Sequence, residues 1–299
     1  MSKTRIEWAD RVWNPITGCT HAFTPGCDNC YARRMAKRLA GRFGYPEKPH
    51  EFDVTFHADK LEEPLRWRKP RVVFVCSMGD LFHEDVTWEQ RGDVWQAMYE
   101  APQHTFLVLT KRPAEMRDWF VGYWQEAVAT SDELVLSNVY LGVSVETQDQ
   151  MWRVEELVKI PGKHWVNFGP LLGPVTIPPE LLARLAGVAV EGESGPGARP
   201  MHPDWARSIR TQCLEAGIPF TFKQWGEWKE TLAVWPDPET RLAHFVDIRG
   251  NLEAKDYSAM LHDPSPMIRV GKKAAGRLLD GQLWNQWPWH VIGGMPDGE

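Results

Sequence analysis

Short runs of β-branched and aromatic residues alternate with amphipathic stretches along most of the chain. Runs at 10–16, 52–57, 71–76, 105–110, 139–145, 164–169, 187–192 and 219–223 predict strands. Helical spacing of apolar positions fills the gaps at 30–43, 59–67, 87–100, 113–127, 147–158, 178–185 and 203–216. Val- and Phe-rich strands separated by helices indicate parallel βαβ units with both sheet faces buried. The order predicts an α/β fold: a partial or full (β/α) barrel with parallel strands. Beyond residue 226 the alternation fades into a Pro-punctuated segment ending in Trp284, Trp287 and Trp289. Residues 1–226 are therefore expected to form the barrel, and 227–299 a C-terminal extension packed on it.

The predicted strands run into polar or Gly-rich turns: Ser77-Met78-Gly79-Asp80, Thr110-Lys111-Arg112, Ser144-Val145-Glu146, Glu191-Gly192-Glu193-Ser194-Gly195 and Lys223-Gln224-Trp225. In a parallel barrel such turns gather on one rim, where ligands bind. Helix capping accounts for Ser77 or Thr147. It does not account for Glu191, Glu193, Lys111 and Lys223 at the same topological place, and Glu193 and Lys223 become candidates for substrate-side chemistry.

Composition adds limits. A 299-residue chain with 43% apolar and 25% charged residues buries a full core. No apolar run reaches the roughly 20 residues of a membrane span, and the N-terminus lacks a signal-peptide pattern, so a cytoplasmic protein is expected. The formal charge is −6. Residues 1–50 nonetheless carry nine Lys or Arg against four Asp or Glu. Arg33, Arg34, Lys37 and Arg38 share one helical face, and Arg269, Lys272, Lys273 and Arg277 form a second basic group. With 16 Trp in the chain, such clusters suit a nucleic-acid partner. Trp95, Trp119 and Trp152 are expected to pack on the core, and Trp225 and Trp228 to face a ligand.

The five Cys are an odd number, and three of them, Cys19, Cys27 and Cys30, lie within twelve residues. This argues against a disulfide scaffold and for metal or chemical use. Two centres suit three thiolates: a zinc site completed by His21, or a four-iron cluster with one iron left open. Cys76 and Cys213 read as small core residues.

The run Asn14-Pro15…Gly18-Cys19…His21…Cys27…Cys30-Tyr31-Ala32-Arg33 resembles the cluster loop of radical S-adenosylmethionine (SAM) enzymes, closest to the spore-photoproduct-lyase-like branch. The usual three residues between the first two Cys are seven here. Across the chain, Ile6-Glu7-Trp8-Ala9-Asp10, Gly192-Glu193-Ser194-Gly195, Phe222-Lys223-Gln224-Trp225-Gly226 and Gly271–Arg277 also resemble a phage-associated three-cysteine-motif family of poorly assigned function.

The first resemblance implies a 4Fe-4S cluster on Cys19, Cys27 and Cys30, with SAM chelated at the open iron. Reduction by an external reductant would yield a 5′-deoxyadenosyl radical acting on a nucleic-acid base or nucleotide, with or without a partner protein. It also implies a SAM amino-group motif after the second barrel strand. Ser77-Met78-Gly79-Asp80 is favoured there over His57-Ala58-Asp59, because Gly79 permits close approach and Asp80 accepts from an ammonium. Ser144 and Glu146 are expected near the ribose or amino group, and Tyr31 near the adenine. A non-catalytic zinc-binding, nucleic-acid-binding or accessory protein is the competing expectation.

Overall fold

The computed structural model describes residues 6, 8–126, 135–230, 242–246, 252–256 and 265–289. Seven parallel strands lie side by side in sequence order: β1 (Arg11–Trp13), β2 (Val72–Val75), β3 (Thr105–Thr110), β4 (Val139–Val145), β5 (Lys163–Phe168), β6 (Gly187–Glu191) and β7 (Phe220–Gln224). The sheet is a half-barrel with β1 and β7 as its edges. Helices α1 (Tyr31–Leu39), α2 (Trp88–Tyr99), α3 (Pro113–Glu126), α4 (Trp152–Leu157), α5 (Pro179–Leu182) and α6 (Pro203–Glu215) lie in the connections.

The strand predicted at 52–57 does not join this sheet. Thr55–Phe56 instead pairs antiparallel with Ile16–Thr17. A strand buried on both faces needs consecutive apolar positions. Here Asp53, Thr55 and His57 alternate with Val54 and Phe56, which leaves one apolar face only. The helix predicted at 59–67 is likewise replaced by 3-10 turns at Ala58–Lys60 and Pro64–Arg66. Pro64 has no N–H to continue a helical ladder.

Period-two alternation sorts the seven strands into two faces. Val73, Val75, Phe106, Val108, Leu141, Val143, Val166, Phe168, Val188 and Val190 share one buried cluster with Trp95, Trp119, Phe120, Leu157, Trp205 and Ile209 of the helices. Their neighbours Phe74, Leu107, Tyr140, Trp165 and Ala189 form a second cluster with Trp8, Trp287 and Trp289. Trp8 meets Phe74 at 4.6 Å between ring centroids, and Trp287 stacks on Trp289 at 5.0 Å. Tryptophans from both ends of the chain thus cover the second face with aromatic surface. A residue of that size buries 150–250 Å².

A four-stranded antiparallel sheet follows, ordered Trp228–Glu230, Ser265–Arg269, Leu242–Val246, Leu252–Asp256. Trp228, Met267, Ala275 and Leu279 belong to the same buried cluster as the helix-side strand residues. Cys76 and Cys213 are buried, as their sequence context predicts. Trp225 and Trp228 are buried too, with their indole N–H groups donating to Leu278 O and Ala198 O. They serve packing, whereas Trp152 is 45% exposed. Among the described residues no helix is long and apolar enough to cross a membrane.

His164 on β5 is buried, and its Nε2 has no hydrogen-bond partner. Burial pushes its pKa from 6.5 down to about 4. Between those values the unfolded chain binds the proton and the folded chain does not, so stability falls as pH drops through that window. Urea unfolding at pH 7.5, 6 and 5 should show this loss, and His164→Gln should reduce it.

Candidate active site at the strand ends

The polar turns do meet at one end of the half-barrel, and the cysteine segment lies over them. After β1 the chain reaches Gly18, whose N–H donates to Met78 O at 2.9 Å. Gly18 has φ +84, and a Cβ there would stand 2.1 Å from Asp53 O. Only glycine fits between the 77–79 turn and the Phe52–Asp53 backbone. Cys19 follows, its N–H donating to Phe52 O at 3.1 Å and its thiol to Thr20 O at 3.2 Å. The Thr20 hydroxyl lies 2.8 Å from His83 Nε2 and accepts from Arg112 at 2.7 Å.

The seven residues between Cys19 and Cys27 form a braced excursion. His21 Nε2 lies 3.0 Å from Asp28 Oδ1, and its Nδ1 accepts from the Phe23 N–H at 3.0 Å. Both ring nitrogens are therefore occupied. The chain returns through a 3-10 turn at Pro25–Cys27 and enters α1 with Cys30 as the N-cap residue. All three cysteines are free and partly exposed. Among the described residues, no three His, Cys, Asp or Glu side chains stand ready-arranged as a metal site.

Glu146 is the fully buried carboxylate beneath this loop. Arg153 donates to its Oε2 at 2.9 Å, Lys111 Nζ stands 3.4 Å from Oε1, and Thr24 donates to Oε1 at 3.3 Å. A Cβ on Gly26 would lie 2.5 Å from Oε1, so glycine lets the loop rest directly on the carboxylate. Burial opposes the charge of Lys111, but Glu146, Cys27 and Cys30 outweigh it and raise its pKa. The Ser144 carbonyl accepts from Arg153 at 2.7 Å.

Other expected residues occupy the same end with different surroundings. Tyr31, half exposed, donates its hydroxyl to Ser77 O. The Ser77 hydroxyl donates to Asn14 Oδ1 at 3.1 Å, and Gly79 bridges Gly18. Asp80 is buried, with Oδ1 accepting from Thr110 and Phe82 N–H and Oδ2 from Lys111 N–H. Its carboxylate fastens the 77–80 turn to the end of β3. Glu193 accepts from Asn29 and Arg199.

Lys223 is buried, 3.2 Å from Glu191 Oε1 and 4.2 Å from the Trp8 ring centroid. Burial pulls the Lys223 ammonium below its usual range. For Glu191 burial is outweighed by Lys223 and by Asn167, whose amide donates at 3.0 Å, so the carboxylate is held ionised. Arg199, Asn29, Arg153 and Thr24 went unrecognised in the sequence. Thr24, Asn29 and Arg199 reach partners 122 to 174 residues away, and Arg153 lies seven residues beyond Glu146, in the helix that follows the strand end.

The chain matches the sequence model of a family described as protein of unknown function (DUF5131) over residues 3–288. It belongs to that family. No curated protein matches. Among solved structures it is similar to a spore photoproduct lyase variant with bound AdoMet and dinucleoside spore photoproduct, at 9% identity and a TM-score of 0.44, covering 90% of this chain and 70% of that one. A spore photoproduct lyase complexed with dinucleoside spore photoproduct gives 9% identity and a TM-score of 0.43 over the same shares.

Burial, and next the charge of Asp80, push the Cys19 thiol up to about 12. Metal uptake must displace its proton, so affinity should rise with pH. In metal-free protein, mass spectrometry should find Cys19 alkylated more slowly at pH 8 than a free thiol, with the rate rising as pH increases.

Proposed function

We propose that this chain is a radical SAM iron–sulfur enzyme in which Cys19, Cys27 and Cys30 hold a 4Fe-4S cluster with one iron open to SAM. One observation carries the reading. A single loop brings three free thiols to the ligand-binding end of a parallel half-barrel, and the neighbouring His21 has both ring nitrogens engaged. The residues present fit such a cluster in donor type and number, whereas a Cys3His zinc site would first have to break the contacts of His21 with Asp28 and Phe23.

The bound cluster and SAM would supply one-electron cleavage of SAM and hydrogen abstraction from the substrate. The protein's own residues position, screen and orient. Lys111 and Arg153 balance Glu146 beneath the thiol-bearing loop. Tyr31, Ser77 and Gly79 are assigned to SAM, whereas Glu146, fully buried with both oxygens taken, supports the cysteine loop from beneath. Asp80 keeps the 77–80 turn in place. Lys223 and Glu191, backed by Trp8 and Trp165, present a charged pair on the substrate side, and the aromatic layer behind them excludes water.

The substrate class is a nucleic-acid base or nucleotide. Ala32 and Ala36 of α1 are buried while Arg33, Lys37 and Arg38 on the other side are exposed, as is Arg42 beyond the helix. In the cysteine loop Phe23 is 97% exposed. Exposed cations and an unpacked aromatic ring suit phosphates and stacked bases.

Protein purified without oxygen and reconstituted with iron and sulfide should bind both, and with SAM and dithionite should release 5′-deoxyadenosine. Stoichiometric zinc without iron or sulfide would overturn the assignment in favour of a zinc-binding accessory protein. Fluorescence anisotropy should show a labelled single-stranded oligonucleotide binding with strong salt dependence. Lys37→Ala and Arg38→Ala should each reduce the logarithmic salt slope by about 0.7.

A further inference from the structure

We propose that Glu193 and Arg199 are positioning residues that clamp the Cys27–Cys30 segment in its ligand-presenting conformation and tie it to the C-terminal sheet. The proposal rests on the cluster reading above. Glu193 was expected to face substrate, but its side chain is only 4% exposed and its oxygens are taken. Oε2 accepts from the Arg199 N–H at 2.8 Å, Arg199 Nε at 2.9 Å and Asn29 Nδ2 at 3.1 Å, and Oε1 from Arg199 Nη2 at 2.6 Å. A carboxylate so engaged has little capacity left for a substrate.

The groups bound to this pair bracket Cys27 on both sides. Before it, Pro25 O accepts from Arg199 Nη2 at 2.6 Å. After it, Asp28 accepts from Arg199 Nη1 at 3.3 Å, and the Asn29 amide reaches both Glu193 and Gly197 O. Arg34 on α1 closes the bracket, donating to Asn29 O at 2.6 Å and Ser194 O at 3.0 Å. Apart from Thr24, residues 19–31 are not buried. Packing therefore holds this segment weakly, and polar contacts must set its shape. Hydrogen bonds to charged groups contribute more than neutral ones, which suits them to that task.

The clamping loop is itself anchored from the far side. Glu227 accepts from the Gly195 N–H at 2.8 Å, and its own N–H donates to Glu193 O at 3.1 Å. Trp228 donates to Ala198 O at 2.7 Å, and Arg269 to Gly195 O at 3.2 Å. The strands Trp228–Glu230 and Ser265–Arg269 thus reach the thiol loop through one intermediary.

The test compares the reconstituted full chain with Glu193→Gln and Arg199→Met by measuring iron retained against a chelator. Arg207→Met, which removes a charged cluster with Asp204, Glu230 and Asp280, serves as the control. Circular dichroism and thermal unfolding report whether each variant folds. The clamp predicts iron affinity about 10–100-fold weaker in the first two variants, partial recovery in Arg199→Lys, and wild-type retention in the control. Wild-type retention in folded Glu193→Gln and Arg199→Met would overturn it. If the wild-type chain itself takes up no iron, the cluster reading falls. Hydrogen exchange of residues 24–30 in metal-free protein then decides the clamp alone: faster exchange in Arg199→Met supports it, and equal exchange sinks it.

Discussion

A parallel sheet buried on both faces can place charge only where its strands end. Most strand positions between are committed to one apolar cluster or the other, because an unpaired charge inside either would lose several kcal/mol of hydration. This constraint organises the molecule. Helices seal one face, tryptophans from the first and last described segments seal the other, and polar side chains are driven to a single rim. The cysteine loop is the cover over that rim.

Even there, burial forces each carboxylate to find partners. Glu146 has Arg153, Lys111 and Thr24; Asp80 has Thr110 and two backbone N–H groups; Glu191 has Lys223 and Asn167; Glu193 has Arg199 and Asn29. Two of these networks, around Glu146 and Glu193, include residues of the cysteine loop itself. The loop's position is thus an electrostatic result more than a packing one. Its tolerance of seven residues between Cys19 and Cys27 follows, since the excursion is braced by His21 and Asp28 instead of by a core.

The same logic separates residues of similar appearance in the sequence. Glu191, Glu193 and Lys223 all sit at strand ends, yet their surroundings differ. The Glu193 carboxylate is taken up by Arg199 and Asn29. The Glu191 side chain is 28% exposed, and Lys223 and Asn167 both donate to its Oε1. Lys223 is buried against Trp8 and pairs with Glu191.

Alternating apolar runs were enough to read seven of the eight expected strands as parallel βαβ units, the core roles of Cys76 and Cys213, and the rim on which polar turns collect. These properties depend on periodicities of two and 3.6 residues, which are local. The three-cysteine loop was legible for the same reason. The run at 52–57 misled because a short one-faced strand and a doubly buried one differ only in what covers the second face. Trp225 and Trp228 misled because a rim turn can be packed over by a later segment. Which cysteine neighbours act was settled only in three dimensions. Asn29 meets Glu193 across 164 residues and Arg199 meets Pro25 across 174. A charge finds its partner by proximity in the folded chain, and no spacing along the sequence encodes that distance.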